Sequence, residues 1–72
     1  MKVGLALRKH RQSQGITLED LARRSGYTKG YISLVESDQR LPSLTALARL
    51  SRPLGLTPAH ILISAQAGQN EN

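Results

Sequence analysis

A short predicted helix near the middle of the chain carries apolar residues on one side and small or polar residues on the other. Ile32 and Val35 form the apolar side, with Tyr31 and Glu36 at its borders. The opposite side carries a cation, a glycine, two hydroxyls and a leucine: Lys29, Gly30, Ser33, Ser37 and Leu34. Lysine can donate to guanine or phosphate, serine can donate or accept, and leucine can contact a thymine methyl group. The alternative interpretation is a solvated face that contacts nothing.

Two predicted helix starts add groups that suit an anion. Thr17 and Thr28 each precede a helix and are predicted N-caps, with Glu19 and Asp20 in the first turn after Thr17. Backbone amides at a helix N-terminus point outward and can bind phosphate. Simple capping also accounts for both threonines, and capping and phosphate binding can coexist.

One charged pair is expected to fix the angle between two helices. Glu36 lies beside the apolar stripe, where a lone carboxylate would be costly. Arg11, on the first predicted helix, can reach it with a bidentate hydrogen bond. The alternative is that both side chains are solvated.

Capping residues and apolar spacing predict five helices and no strand. Pro53 is expected to kink or shorten the end of the fourth helix, because proline lacks the backbone N–H. Residues 65–72 are small and polar, so we predict a folded domain over 1–64 and a flexible C-terminal tail over 65–72. The predicted helices are Val3 to Gln14, ending at Gly15; Leu18 to Ser25, ending at Gly26; Lys29 to Ser37; Leu44 to Leu54, capped by Ser43 and ending at Gly55; and a short helix from Pro58, capped by Thr57.

The composition indicates one small basic domain of 72 residues with a formal net charge of +5. A basic surface favours nucleic acid or an anionic membrane as partner. Cysteine is absent and His10 and His60 stand alone, so we expect no disulfide, metal or cofactor. No nucleophile–base or carboxylate pair suggests an enzyme. Because no run approaches about 20 apolar residues and no signal peptide is recognisable, we expect a cytoplasmic protein without a membrane partner.

A single register of residues extends from the first helix to the loop after the third. Its members are Arg11, Gly15, Ile16, Thr17, Leu21, Ala22, Gly26, Tyr27, Thr28, Ile32, Ser33, Val35, Glu36, Arg40, Pro42, Ser43 and Leu44. This pattern resembles the Cro/lambda-repressor type of helix-turn-helix, also called the xenobiotic-response-element-like family. The later segment LARLSRPLGLTPAHIL is similar to the fourth and fifth helices of that family, so the resemblance covers about Val3 to Ile63.

The resemblance implies an all-α, five-helix, lambda-repressor-like DNA-binding domain whose helix-turn-helix is formed by helices 2 and 3. It further implies a sequence-specific transcriptional regulator, a repressor, that binds a palindromic operator in double-stranded DNA as a homodimer. The third helix would enter the major groove. By position, the residues implied to face bases are Lys29, Gly30 and Leu34, with Ser33 and Tyr31 nearby. Those implied to face phosphates are Ser37 and Arg40, together with the helix starts at Thr17, Leu18 and Thr28.

Two residues depart from the family pattern. Leu18 replaces a glutamine that binds phosphate, so only backbone amides remain for that contact. Asp38 replaces a glycine in the turn after the third helix. Aspartate tolerates a left-handed conformation better than most residues, so we expect the turn to survive with some strain. We also expect its charge to weaken non-specific DNA affinity slightly.

The apolar residues near the C-terminus are candidates for a dimer interface. They exceed what a small core needs and are Leu56, Ile61, Leu62 and Ile63. The alternative is that only Ile63 is exposed and the others belong to the core. A rival function is an antitoxin or adaptor whose main role is to bind a protein partner, such as a toxin or another regulator. In that case the tail after Ile63 and an exposed Leu5 or Leu41 would form the contact.

Overall fold

Five α-helices and one 3-10 turn form the chain, which the computed structural model describes from residue 1 to residue 69. No strand occurs among these residues, so the predicted all-helical fold class is confirmed. The elements are α1 (Val3–Ser13), α2 (Leu18–Ser25), α3 (Lys29–Glu36), α4 (Leu44–Ser51), the 3-10 turn (Arg52–Leu54) and α5 (Pro58–Gln69). Two ends differ from the prediction by one residue, at Ser13 and Glu36, because Gln14 and Ser37 have ψ near 0° (0° and 4°) and serve as C-caps.

The predicted caps set the helix starts. The hydroxyls of Thr17, Thr28 and Ser43 accept hydrogen bonds from backbone N–H groups three residues later, at 3.0, 3.1 and 3.0 Å. Each such cap contributes about 1 kcal/mol to helix stability. Pro53 has the predicted shortening effect: α4 ends at Ser51, and the chain continues as the 3-10 turn.

The core consists of aliphatic side chains from all five helices. Leu7, Leu21, Ile32, Leu50 and Ile61 are fully buried, one from each helix. Tyr27 packs against this core from one side and is only partly buried. Because every helix contributes to a single core, the positions of α2 and α3 depend on α1, α4 and α5.

The last helix is longer than predicted. We placed the start of a flexible tail at Ala65, but α5 continues to Gln69 and the Ala65 side chain is buried with only 5% of its surface exposed. That boundary was wrong, because Ala65 packs in the core and α5 continues for at least one turn beyond Ser64. The remainder of the predicted tail, residues 70–72, lies outside the described residues.

A close contact between α1 and the end of α3 depends on Gly4 and Asp38, which are 34 positions apart in the chain. A Cβ atom on Gly4 would lie only 1.7 Å from the carbonyl oxygen of Val35, so only glycine allows this approach. The Asp38 carboxylate accepts hydrogen bonds from the backbone N–H groups of Gly4 (2.9 Å) and Leu5 (3.2 Å). It therefore caps α1, whose own N-cap residue, Lys2, makes no side-chain hydrogen bond to the helix.

Asp38 adopts the left-handed conformation that we predicted, with φ of 61°. Its carboxylate also has a structural role that the sequence did not predict. The carboxylate is directed to the N-terminus of α1, where the helix dipole favours a negative charge. The contact stabilises the turn in which Asp38 stands in place of the family's glycine.

The predicted Arg11–Glu36 pair is present and connects α1 to α3. Arg11 donates from Nε and Nη2 to the two carboxylate oxygens of Glu36, at 2.7 and 3.0 Å. Its Nη1 also donates to the carbonyl oxygen of Ile16, at 2.8 Å. The side chains of the pair are only 11% and 6% exposed, so the alternative of two solvated groups is excluded. Three hydrogen bonds from one guanidinium thus fix α3 relative to α1 and to the loop before α2.

Candidate nucleic-acid interface

The outer face of α3 is open to solvent along its length. Its exposed residues are Lys29, Gly30, Ser33, Leu34 and the C-cap Ser37. The opposite face holds the buried residues Ile32, Val35 and Glu36. A Cβ atom on Gly30 would meet no atom within 4 Å, so nothing in the described fold covers this part of the helix. Leu34 is 40% exposed, so this face also presents an apolar side chain to solvent.

The Lys29 ammonium is available for an external contact. Its nearest carboxylate is that of Glu19, with 4.0 Å between Nζ and Oε2, and both side chains are mostly exposed, at 59% and 73%. An exposed pair of this kind contributes at most about 1 kcal/mol. A base or phosphate can therefore replace Glu19 as the partner of Lys29 at little cost.

Four side chains form a stack at the edge of this face. The Tyr27 and Tyr31 rings lie 4.8 Å apart at 33° to each other. The Arg49 guanidinium lies 4.7 Å from the Tyr27 ring centre, and that of Arg40 lies 5.9 Å from the Tyr31 ring centre. We call this set of Arg49, Tyr27, Tyr31 and Arg40 the Tyr–Arg stack. We predicted Tyr31 only as a residue near the bases. In the stack, its ring contacts the Arg40 guanidinium beside α3.

Sequence reasoning missed the Tyr–Arg stack, although one signal was available. Tyr27 and Tyr31 are the only aromatic residues in the chain and lie four positions apart. Because Tyr27 precedes the Thr28 N-cap and only Tyr31 lies on α3, this spacing indicates proximity in the chain and not a pair on one helix surface. The contributions of Arg40 and Arg49 depend on tertiary packing and have no such local signal.

The predicted phosphate contacts differ in how their polar groups are used within the protein. The hydroxyls of Thr17 and Thr28 accept the capping hydrogen bonds, so the first amides of α2 and α3 are the groups left to face a phosphate. Leu18 is half-buried against the core. The Ser37 hydroxyl donates to the Leu34 carbonyl oxygen (3.2 Å) and accepts from the Gln39 side chain (2.9 Å).

The candidate dimer residues do not all lie at the surface. Ile61 is fully buried, so it contributes no surface to an interface and its assignment was wrong. Leu56 and Leu62 are half-buried, and Ile63 is 63% exposed. Met1, Leu34, Leu41 and Leu44 are also exposed, and Leu41 and Leu44 are the most exposed of these, at 84% and 71%.

Residues 1–69 hold no cluster of three or more histidine, cysteine, aspartate or glutamate side chains that could bind a metal ion. No helix in this part of the chain is both long enough and apolar enough to cross a bilayer.

The arrangement of α2, the Gly26 turn and α3 corresponds to a known family. A family profile described as helix-turn-helix matches residues 7–61. The chain belongs to the helix-turn-helix family. An uncharacterized HTH-type transcriptional regulator of Methanothermobacter thermautotrophicus is 41% identical over 49 residues, which cover 68% of this chain and 71% of that protein.

Solved structures of helix-turn-helix proteins have the same fold. The clp gene regulator ClgR of Corynebacterium glutamicum superposes with a TM-score of 0.91 at 34% identity, covering 99% of this chain and 92% of that one. SinR of Bacillus subtilis, a master regulator for biofilm formation, has been solved with DNA and with the protein SinI. The DNA-bound SinR chain matches with a TM-score of 0.77 at 28% identity, over 83% of this chain and 97% of that one.

These likenesses establish the class of the protein. It is a transcriptional regulator with a lambda-repressor-like, DNA-binding helix-turn-helix fold. The family and the fold are those of DNA-binding regulators and not of enzymes.

Proposed function

We propose that the protein is a repressor that binds a palindromic operator as a homodimer, with α3 of each subunit in a major groove. The observation that carries this proposal is the open outer face of α3, which presents Lys29, Ser33 and Leu34 on a helix fixed by the buried Arg11–Glu36 pair. A helix held rigidly by its inner face can place three or four side chains on base edges without further ordering.

The roles proposed for the exposed residues follow from their chemistry. Lys29 would donate to guanine O6 and N7, Leu34 would contact a thymine methyl group, and Ser33 would donate or accept. Gly30 would let the backbone approach the bases. The amides at the starts of α2 and α3, with Ser37 and Arg40, would contact phosphates and set the register. Tyr31 would act mainly by holding Arg40 in the Tyr–Arg stack.

A dimer is proposed because one short helix with few base contacts discriminates poorly. Two half-sites about one turn of DNA apart add their binding free energies. Ile63, with the exposed parts of Leu56 and Leu62, supplies apolar surface for such an interface. A substitution of Ile63→Glu should weaken both dimerisation and operator binding. Ala67→Glu adds the same charge to an exposed position of the same helix and serves as the control.

The decisive experiment is selection of bound duplexes from a randomised DNA pool at about 150 mM salt, where purely electrostatic binding is weak. We expect an inverted repeat with half-sites about one helical turn apart. Sedimentation of the chain with the selected duplex should then show two subunits per site. Enrichment of no sequence would contradict the operator-binding proposal, and a monomer on the selected duplex would contradict the dimer.

A second candidate function is an adaptor or antitoxin whose main role is binding a protein partner. Leu41 and Leu44, which are 84% and 71% exposed, supply apolar surface that such a partner would cover. The relative SinR, which has been solved in complex with SinI, gives a precedent within the fold. If Lys29→Ala leaves DNA binding and partner binding unchanged, while Leu41→Ser abolishes capture of a co-expressed protein from a neighbouring gene, this alternative replaces the operator-binding proposal.

A further inference from the structure

An open depression of about 190 Å³ lies at the C-terminal ends of α2 and α4. It is lined by Arg24, Ser25, Arg49, Arg52 and Pro53. We call it the arginine depression. None of the residues predicted to contact DNA lines it, and neither do the candidate dimer residues. The depression does not include the outer face of α3, although Arg49 belongs both to its lining and to the Tyr–Arg stack at the edge of that face.

Arg49 is held in place before any ligand arrives. Its Nη2 donates to the Ser25 carbonyl oxygen at 3.0 Å, and its guanidinium lies 4.7 Å from the Tyr27 ring centre. Gly26 leaves room for this arrangement, because a Cβ atom there would lie 2.7 Å from Nη2. A side chain that is already ordered loses little further conformational entropy on binding.

The arginine depression has more positive charge than the fold neutralises. Within residues 1–69, neither Arg24 nor Arg52 has a carboxylate at ion-pair distance. The C-terminal ends of α2 and α4 offset part of the three guanidinium charges, since each is equivalent to roughly half a negative charge. Three guanidinium charges, less about one negative charge from the two helix ends, leave about two positive charges at this site.

We propose that the arginine depression binds a carboxylate-bearing segment of a protein partner. Guanidinium groups pair with carboxylates through two parallel hydrogen bonds. Arg24 and Arg52 are not among the predicted phosphate contacts, so a carboxylate is a better candidate for this site than a DNA phosphate. The depression is also smaller than the roughly 300–1,000 Å³ that enclose drug-sized ligands, so it suits one or two acidic side chains.

The test is an NMR titration of the amide spectrum of the full chain with a capped peptide of four glutamates. We expect shifts at Ser25, Arg49 and Arg52 that saturate, and no shifts with the matching peptide of four glutamines. The double variant Arg24→Gln/Arg52→Gln should bind the glutamate peptide about tenfold more weakly, equivalent to about 1.4 kcal/mol. Arg49 is left intact because its contacts also support the fold.

A control variant separates this site from general attraction to a basic protein. Arg8→Gln/Lys9→Gln removes the same charge from exposed positions of α1 and should leave peptide affinity within about twofold. Equal losses in both double variants would overturn the proposal. So would equal shifts with inorganic phosphate at the same concentration, which would indicate a free-anion site, or shifts of these amides by duplex DNA. Absence of DNA binding by the wild-type chain would contradict the proposed repressor function and leave the peptide result standing.

Discussion

Replacing Glu36 with alanine tests whether the Arg11–Glu36 pair holds α3 in place. In the folded protein Arg11 donates two hydrogen bonds to Glu36 and one to the Ile16 carbonyl oxygen. Glu36→Ala removes two of these three acceptors. The guanidinium cannot turn to water without leaving its site, because the Arg11 side chain is only 11% exposed.

The expected cost is large for a domain of this size. Removing one partner of a buried ion pair destabilises a protein by about 3–5 kcal/mol, since an uncompensated charge remains. In a domain of 60–100 residues, 1 kcal/mol lowers the melting temperature by about 4–8 °C. We therefore expect the melting temperature of Glu36→Ala to fall by at least about 12 °C.

Thermal and urea unfolding followed by circular dichroism would measure this change. Asp20→Ala is a matched control: the Asp20–Arg23 pair is equally short, at 2.6 Å, but its side chains are 34% and 69% exposed. The control should cost less than about 1 kcal/mol. The double variant with Arg11→Met should be more stable than Glu36→Ala alone, because it removes the unpaired charge. A loss below 1 kcal/mol in Glu36→Ala, or additive effects of the two substitutions, would refute the reasoning.

Three further predictions concern base reading, the Tyr–Arg stack and the helix contact. Lys29→Ala should lower discrimination between operator and random DNA by about 1–3 kcal/mol; in competition binding, an equal loss on both DNAs with a salt slope reduced by about one would reassign Lys29 to a phosphate. Arg40→Ala should weaken binding to specific and random DNA alike. Tyr31→Leu should cause the same loss, with no further loss in the double variant, whereas Tyr31→Phe should bind DNA like the wild type. Additive losses in the double variant would show that Tyr31 does not act through Arg40. Gly4→Ala should destabilise the fold by more than about 1 kcal/mol in urea unfolding. The steric clash of the new Cβ atom with the α3 backbone outweighs the gain of about 1 kcal/mol in helix propensity. An increase in stability would contradict the close approach of α1 to α3.

The local features of the fold could be predicted from sequence because their causes lie within a few residues. Thr17, Thr28 and Ser43 cap helices through amides three positions away, and Pro53 ends α4 because it lacks an N–H of its own. The outer face of α3 followed from helical periodicity alone. The Arg11–Glu36 pair was also predictable, since a carboxylate beside an apolar stripe requires a partner.

Other features required the tertiary structure, because sequence gives no measure of distance between remote segments. The role of Asp38 as the cap of α1 depends on how closely Gly4 approaches α3. The burial of Ile61 and of Ala65 was decided by the packing of α5 against the rest of the core. Small and polar residues over 65–72 indicated a tail, but the Ala65 side chain is buried and α5 continues to Gln69.

The sequence by itself determined where helices start, which face of α3 is apolar, and that the chain carries an excess of positive charge. These properties arise from local hydrogen bonding, periodicity and composition. Only the tertiary structure decided which charges meet. Asp38 lies at the N-terminus of α1, Arg40 lies beside Tyr31, and Arg24 and Arg52 face the same depression as Arg49. The physical reason is that electrostatic contacts depend on separations of a few ångströms, which are set by the packing of the whole core.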